Sequence, residues 1–358
     1  MKKLLLLVVL LQACIRFTGP ATALHPVRRD STPRLRECDS VAGCVGRVRL
    51  TYLGVAGFLI ATDSDVIMTA PSFTHPNLFE VSTPFWPIHA DSQTVDRELQ
   101  RLLGTDIEML PRVHSILVGH AHYDHLMDVP LLVRRYTPTA RIYGSLTTKR
   151  TLMGDAFLRA HADRVDSLMP ADSVIATAWR VGKWIYSPSR RMRFMAVHSS
   201  HAPNWWFITL APCQEKQDRQ SLPRTGWGWC RGEPVSYVID LLDAHGRPTF
   251  RMFYQDAASK PMDVVLPPFA AADQRRVDLA IVCAGNFNKV DEYPTFLLAG
   301  LRPTFVVLAH WEDFFQSQGE SPTPVRLTDT RELAMRLDHL GAARWITPVP
   351  GGQVVVEY

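Results

Sequence analysis

Little in this 358-residue chain points toward a large polyanionic partner: its formal net charge is only +4, and no basic tract concentrates it, which excludes the electrostatic footprint of a nucleic-acid-binding protein. Internal repeats and low-complexity segments are lacking too, so repeat architectures drop out. Cysteine is scarce, six residues in all, and none forms the C-x-x-C spacing of a thiolate metal site. The long apolar run at the start, MKKLLLLVVLLQAC from Met1 to Cys14, is too short to span a bilayer.

That run has a basic n-region at Lys2 and Lys3 and an apolar stretch from Leu4 to Leu11, and it reads as a targeting segment. Leu11-Gln12-Ala13-Cys14 resembles a bacterial lipobox, with Gln12 an uncommon residue at its place. The expectation is an exported protein of the cell envelope, anchored to the membrane by lipid on Cys14; an ordinary secretory signal cut near Ala21 to Ala23 is the rival. Export makes disulfides available. Cys38 with Cys44 and Cys213 with Cys230 are the expected pairs, leaving Cys283 as a buried thiol inside LAIVCAG. Residues 15–47, rich in Pro, Arg, Ser and Thr and without periodicity, read as a flexible tether, and 48–358 as one catalytic domain.

With 46% hydrophobic residues the chain can build a sizeable core, and within it one stretch carries the chemistry. Ile116 to Asp128, ILVGHAHYDHLMD, places His120, His122, Asp124 and His125 in an H-x-H-x-D-H pattern. Imidazoles and a carboxylate at this density suit zinc, and manganese or iron as well. SILVG reads as a buried strand ending at Gly119, and LMDVPLLVRRY as a helix beginning near the motif. Residues i and i+2 of an extended segment point the same way, so His120 and His122 can share one ion while Asp124 and His125 face a second.

Elsewhere RVRLTYLGVAGFLIAT and DSDVIMTAP read as two strands of a hairpin turning at Thr62 to Ser64, Thr94 to Leu103 as a helix, and VSYVIDLLD with TFRMFYQDAA as a strand pair. MRFMAV, VDLAIVCAG, TFVVLAH and ITPVPGGQVVVEY complete the strands. His120, His198, Asp256 and His310 each follow such an apolar run. Strand ends drawn from distant parts of a chain are where a sheet gathers a site on a rigid scaffold.

From TYLGVAGFLI through HAHYDH, the strand-end His198, YQDAA and LAHWEDF, the chain from Val48 to Tyr358 resembles the metallo-β-lactamase fold superfamily. The resemblance implies an α/β fold, an αββα sandwich of two mixed β-sheets face to face with helices outside and metals at one edge. It implies two zinc ions: one held by His120, His122 and His198, the other by Asp124, His125 and His310, with Asp256 bridging. His201 could stand in for His198, which is favoured because it directly follows the strand; the other use of His201 is hydrogen bonding behind the ligands. One departure is Ala70, where the second strand of the superfamily usually ends in a bracing acid.

Class B β-lactamases carry Cys where Asp256 stands, diiron oxygen-reducing members an acid in place of His122, and the nucleic-acid-processing branch a large inserted domain. The resemblance therefore narrows to zinc-dependent hydrolases of esters, lactones, amides or phosphodiesters, working through a metal-activated hydroxide oriented by Asp124 or Asp256. His310-Trp311-Glu312-Asp313-Phe314 is similar to the H-[WY]-x-x-F segment of the branch containing N-acylphosphatidylethanolamine phospholipase D and the ascorbate-lactone hydrolases. With Trp205, Trp206, Trp227 and Trp229 as aromatic surface, this favours a phosphodiesterase on a lipid-like or small-molecule substrate, with lactone, ester or amide hydrolysis as the alternative. A non-catalytic metal-binding surface protein is the third reading, kept open by Ala70.

Overall fold

A computed structural model describes residues 19–27, 29–38, 43–168, 172–175, 178–180, 182–204, 209–316, 321–341 and 343–358. The leader, Cys14 included, lies outside the described residues, as do Trp205 and Trp206. Among the described residues no helix is long and apolar enough to cross a membrane.

The strands run, in chain order, β1 (Pro26–Val27), β2 (Arg34–Arg36), β3 (Arg47–Gly54), β4 (Gly57–Ala61), β5 (Val66–Thr69), β6 (Val113–Leu117), β7 (Arg141–Gly144), β8 (Val165–Ser167), β9 (Asp172–Ile175), β10 (Ala178–Arg180), β11 (Ile185–Tyr186), β12 (Met192–His198), β13 (Val235–Leu242), β14 (Pro248–Tyr254), β15 (Leu279–Cys283), β16 (Phe305–Ala309), β17 (Arg344–Pro348) and β18 (Gln353–Glu357). One eight-stranded sheet has the order β2-β18-β3-β4-β5-β6-β7-β8, the other β1-β17-β16-β15-β14-β13-β12-β11. Both are mixed, for β3 to β5 pair antiparallel and β5 to β8 parallel, while β12 to β14 pair antiparallel and β14 to β17 parallel.

Period-2 alternation sorts each strand between two cores. Phe58 and Ile60 of β4 and Ile67 of β5 face the second sheet and pack with Phe194, Tyr237, Met252 and Tyr254. Their neighbours Leu59, Ala61 and Met68 turn outward onto the helical layer, where Val95, Leu99 and Leu102 of helix Ser92–Leu103 meet Leu132 and Val133 of helix Val129–Arg135. This is the αββα sandwich that the resemblance implies. Pinning across the gap comes from Tyr237, whose hydroxyl donates to the carbonyls of Val118 and Tyr143 at 2.9 and 3.1 Å.

Two expectations are corrected here. The run RVRLTYLGVAGFLIAT is two strands, because Gly54 (φ 96°) and Val55 (φ 55°) reverse the chain between β3 and β4. A β-branched residue seldom adopts that conformation; here the Glu312 carboxylate holds Val55 in place by accepting its N–H. The segment read as a tether is also part of the domain over residues 19–27 and 29–36. There β1 pairs with β17 and β2 with β18, and Leu24 and Leu35 are buried in the intersheet core. Two isolated leucines in polar, Pro-rich surroundings carry no periodic signal, yet they suffice to seat short edge strands.

Both expected disulfides, Cys38–Cys44 and Cys213–Cys230, are present, with Cys283 a buried free thiol.

Candidate metal centre

The ends of β6, β12, β14 and β16 open onto one edge of the sandwich, and the turns that follow them carry the donor groups. After β6 the chain passes through Gly119, where a Cβ would stand 2.3 Å from the carboxylate carbon of Asp256. Only glycine leaves that carboxylate its seat. Asp256 accepts the backbone N–H of His120 at 3.2 Å and meets His120 Nδ1 at 3.1 Å, so two strand ends from different sheets are locked by one side chain.

His120 and His122 then project together from extended backbone, His120 Nε2 lying 3.0 Å from His122 Nδ1. The far nitrogen of His122 meets the Leu210 carbonyl at 2.8 Å, which fixes its ring. A single helical turn, Tyr123–Leu126, presents Asp124 and His125 on the other side, both buried. His310 leaves β16 with φ 56°, its N–H donating to the Tyr52 hydroxyl at 2.9 Å. That left-handed residue swings its imidazole Nε2 to 3.4 Å from Asp124 Oδ2, the same distance at which His125 Nε2 stands from that oxygen.

Donor atoms form three groups, each within 4.8 Å: His120, His122 and His201; Asp124, His125 and His310; and His120, His125 and Asp256. Thus the structure gathers six of the seven residues read from the sequence, and the seventh needs correction. His198 ends β12 with its Nδ1 3.0 Å from the Asp263 carbonyl, turned against the 261–263 segment. His201, three residues on, has its ring centroid 4.6 Å from that of His120 and 5.0 Å from that of His122. The donors lie beyond the sheet edge, so a loop residue reaches them and the last strand residue does not.

That loop is held by a residue missed in the sequence. Gln255 is buried beside Asp256, and its amide nitrogen, with two N–H groups to give, lies within hydrogen-bond reach of the hydroxyls of Ser199, Ser236 and Ser259 at 3.2, 3.3 and 2.7 Å. Ala202 N–H donates to the Ala258 carbonyl at 2.7 Å. Hydroxyls in HSSH and DAAS, adjoining the ligands, were the available signal.

Ala70 is buried at φ 28° and brings no carboxylate to the site. Bracing is built elsewhere. Asp128 accepts the N–H groups of Phe73 and Thr74 at 2.7 and 2.8 Å and so ties the segment after β5 to the motif. Glu312 accepts the Tyr52 hydroxyl at 2.6 Å and the Val55 N–H, fastening the turn beside His310.

Metal suits this donor set. Burial, followed by repulsion from neighbouring imidazoles, holds His120 and His122 well below the usual histidine pKa, and burial takes His201 down to about 3. These rings are neutral, the form that ligates. Burial pushes Asp124 up, but His125 and His310 outweigh it and hold that carboxylate well below its usual range. Nδ1 of His125 and Nδ1 of His310 are buried with no hydrogen-bond partner among the described residues. Tetrahedral zinc with Zn–N bonds of about 2.0–2.1 Å sets its ligand nitrogens roughly 3.3 Å apart, close to the spacings found here. Two ions fit: one among His120, His122 and His201, one among Asp124, His125 and His310, with Asp256 between them.

The centre floors a cavity of about 90 Å³ whose other walls include Leu78, Val81, Phe314, Phe315, Asn286 and Arg326. Trp227 and Trp229 do not line it. Both pack in the helical layer, Trp227 donating to the Ser82 carbonyl at 3.0 Å.

No protein-family model matches the chain, and no curated protein matches it in sequence. Among solved structures it is similar to Igni18, a metallo hydrolase from Ignicoccus hospitalis, at 15% identity over 87% of this chain and 99% of that one, with a TM-score of 0.49. It is also similar to YhfI, a metallo-β-lactamase fold protein from Bacillus subtilis (10% identity, 87% and 100% covered, TM-score 0.43). A third is the diiron β-hydroxylase CmlA from Streptomyces venezuelae (11%, 87% and 54% covered, TM-score 0.47). At such identities the reaction has to be read from the site itself.

Proposed function

We propose that this chain is a metal-dependent hydrolase with a dinuclear centre, zinc being the metal its donor set suits best, acting as a phosphodiesterase on a lipid-like or small-molecule substrate. The observation that carries the reading is the convergence, at the floor of a cavity, of five imidazoles and two carboxylates from four separate strand ends. A purely structural ion is enclosed by its ligands, whereas His122, Asp124, His201, Asp256 and His310 all line this cavity.

Divalent cations bound there would lower the pKa of water and polarise a substrate oxygen. The chain supplies the rest. Asp124 and Asp256 are the carboxylates that orient the attacking water and take up its proton. Leu78, Val81, Phe314 and Phe315 exclude bulk water and bind the apolar part of the substrate. Lactone or ester hydrolysis uses the same groups and is the second reading.

Lipid anchoring at Cys14 belongs to the same proposal, supported by the lipobox-like Leu11 to Cys14. Mass spectrometry of the mature N-terminus tests it, an unmodified start beyond Cys14 counting against it.

The test of function is metal content together with turnover of bis(4-nitrophenyl) phosphate and of γ-butyrolactone, before and after chelation. About two ions per chain and chelator-sensitive release of nitrophenol are expected. Turnover of the lactone alone promotes the second reading. Full metal occupancy with no turnover of either shifts the protein to a metal-binding role.

A further inference from the structure

The cavity above the centre has a second chemical end. Among the described residues that line it Arg326 is the only Lys or Arg, and it stands at the end of a row of rings leading away from the donor groups. His310 contacts Phe314 (centroids 4.8 Å apart), Phe314 contacts Phe315 (4.4 Å), and the Arg326 guanidinium lies 6.0 Å from the Phe315 ring. Two rings therefore separate this cation from the nearest donor of the metal centre.

Arg326 is held for use. Its Nε donates to Asp313 Oδ2 at 3.0 Å, which fixes the plane of the guanidinium. That oxygen also accepts from Gln316, and the other accepts the Phe315 N–H at 3.1 Å, so the Asp313 charge is shared among three donors. No acceptor among the described residues meets the two Nη groups of Arg326.

Nearby in the same wall the Tyr123 hydroxyl is buried and also lacks a hydrogen-bond partner. Arg326 is partly exposed, whereas a buried hydroxyl without a partner, as at Tyr123, is uncommon and calls for an explanation. The backbone here is forced as well. Leu327, next to Arg326, has φ 61°, its carbonyl accepting from Asn288 at 3.1 Å, and Asn286, which lines the same cavity, has φ 59°; a left-handed leucine is a true outlier, and such outliers cluster at active sites and ligand clamps.

We propose that Arg326, assisted by the Tyr123 hydroxyl, binds an anionic group of the substrate distinct from the bond that is cleaved. Resting on the hydrolase reading above, this makes the substrate a compact two-ended molecule: a hydrolysable ester or phosphodiester at the histidines, an apolar middle against Phe314 and Phe315, and a carboxylate or phosphate at Arg326. A guanidinium presents parallel N–H donors that match either oxyanion. The competing role for Arg326 is a clamp, its bond to Asp313 simply fastening these two residues together.

Matched substrates separate the two. One pair is mono-4-nitrophenyl adipate and its methyl ester; the other is 4-nitrophenyl 3-carboxypropyl phosphate and its methyl ester. A further probe, 4-nitrophenyl 3-phosphonopropyl phosphate, tells carboxylate from phosphate preference. The wild-type chain should favour the charged member of the pair it hydrolyses by about tenfold or more in kcat/KM, the scale of a charge-assisted hydrogen bond. Arg326→Met should bring that ratio to about one, Arg326→Lys to an intermediate value, and Tyr123→Phe should lower it a few-fold.

Because Arg326→Met leaves Asp313 buried without its cation, Asp313→Asn/Arg326→Met is measured beside it. A ratio near one in the wild type, or a ratio unchanged by Arg326→Met and by the double variant, overturns the proposal in favour of the clamp. If the loaded chain hydrolyses neither pair, the hydrolase reading fails separately, and Arg326 is judged by calorimetric titration with glutarate. Binding weakened at least fivefold by Arg326→Met sustains the anion subsite; equal binding, or none, ends it.

Discussion

Gly119→Ala adds one methyl group and tests whether the Asp256 carboxylate is seated as the structure places it. The new Cβ would lie 2.3 Å from the Asp256 carboxylate carbon and from both of its oxygens, a separation that must widen to at least 3.0 Å. The backbone of Gly119 is not in the left-handed region, so alanine meets no conformational penalty and the effect is steric alone. Asp256 has little slack. Its contacts to the His120 N–H and Nδ1 are already 3.2 and 3.1 Å long, and a retreat of that size breaks both.

Three consequences should follow together. Overpacking at a buried carboxylate costs about 1–3 kcal/mol of stability. Losing the Asp256 contacts that orient His120 costs roughly 10- to 100-fold in metal affinity, and a misplacement approaching 1 Å about 100-fold in turnover. Metal retained after dialysis against a graded chelator, measured with urea unfolding and phosphodiester hydrolysis, reads all three. Gly300→Ala is the control: nothing lies within 4 Å of its Cβ position, and inside a helix alanine should raise stability by about 0.5–1 kcal/mol. A Gly119→Ala chain that keeps two ions at wild-type affinity would refute the placement of Asp256 between them.

Three further outcomes are expected. His201→Ala should bind about one ion fewer per chain by elemental analysis and lose turnover, whereas His198→Ala should keep its metal; the opposite pattern would restore the strand-end histidine as ligand. Gln255→Leu frees the Ser199, Ser236 and Ser259 hydroxyls and should cost about 1–3 kcal/mol in urea unfolding while weakening one metal about tenfold. Asp65 is pushed up by burial, yet the His114 ring, its Nε2 3.4 Å away, and hydrogen bonds from Ser189 and Ser64 outweigh this and hold its pKa below the ordinary value. Its contribution is therefore fully present above the unfolded pKa near 4 and fades as pH falls through the folded one. Asp65→Asn should be less stable than wild type at pH 7, by on the order of 1 kcal/mol, and the gap should close toward pH 3.

What was legible in the sequence was whatever depends on short-range pattern. H-x-H-x-D-H on an extended segment places its own ligands, because two-residue spacing on extended backbone and one helical turn settle which way each side chain points. Apolar runs located the central strands, since β6, β13, β15 and β16 are buried on both faces and need no alternation to be seen. Edge strands β1 and β2 were invisible for the opposite reason: they bury one leucine or none, and partners β17 and β18 supply their hydrogen bonds.

His201 shows where strand-end reasoning runs out. A rule that places ligands directly after strands holds for Asp256 and His310, which follow β14 and β16 within two residues. It fails for β12, because that strand's end is turned toward the 261–263 segment and the chain must cross three more residues to reach the donors. The path of that loop decides the matter, and it is held by Gln255 against Ser199 and by the Ala258 carbonyl against Ala202. The same holds for the anion end of the cavity. Arg326 stands in the cavity beside Phe315 because its Nε meets Asp313, a juxtaposition of side chains thirteen residues apart in the chain. A cation fixed by one edge, with its other donors facing a cavity, is a statement about packing that no spacing of residues along the chain could express.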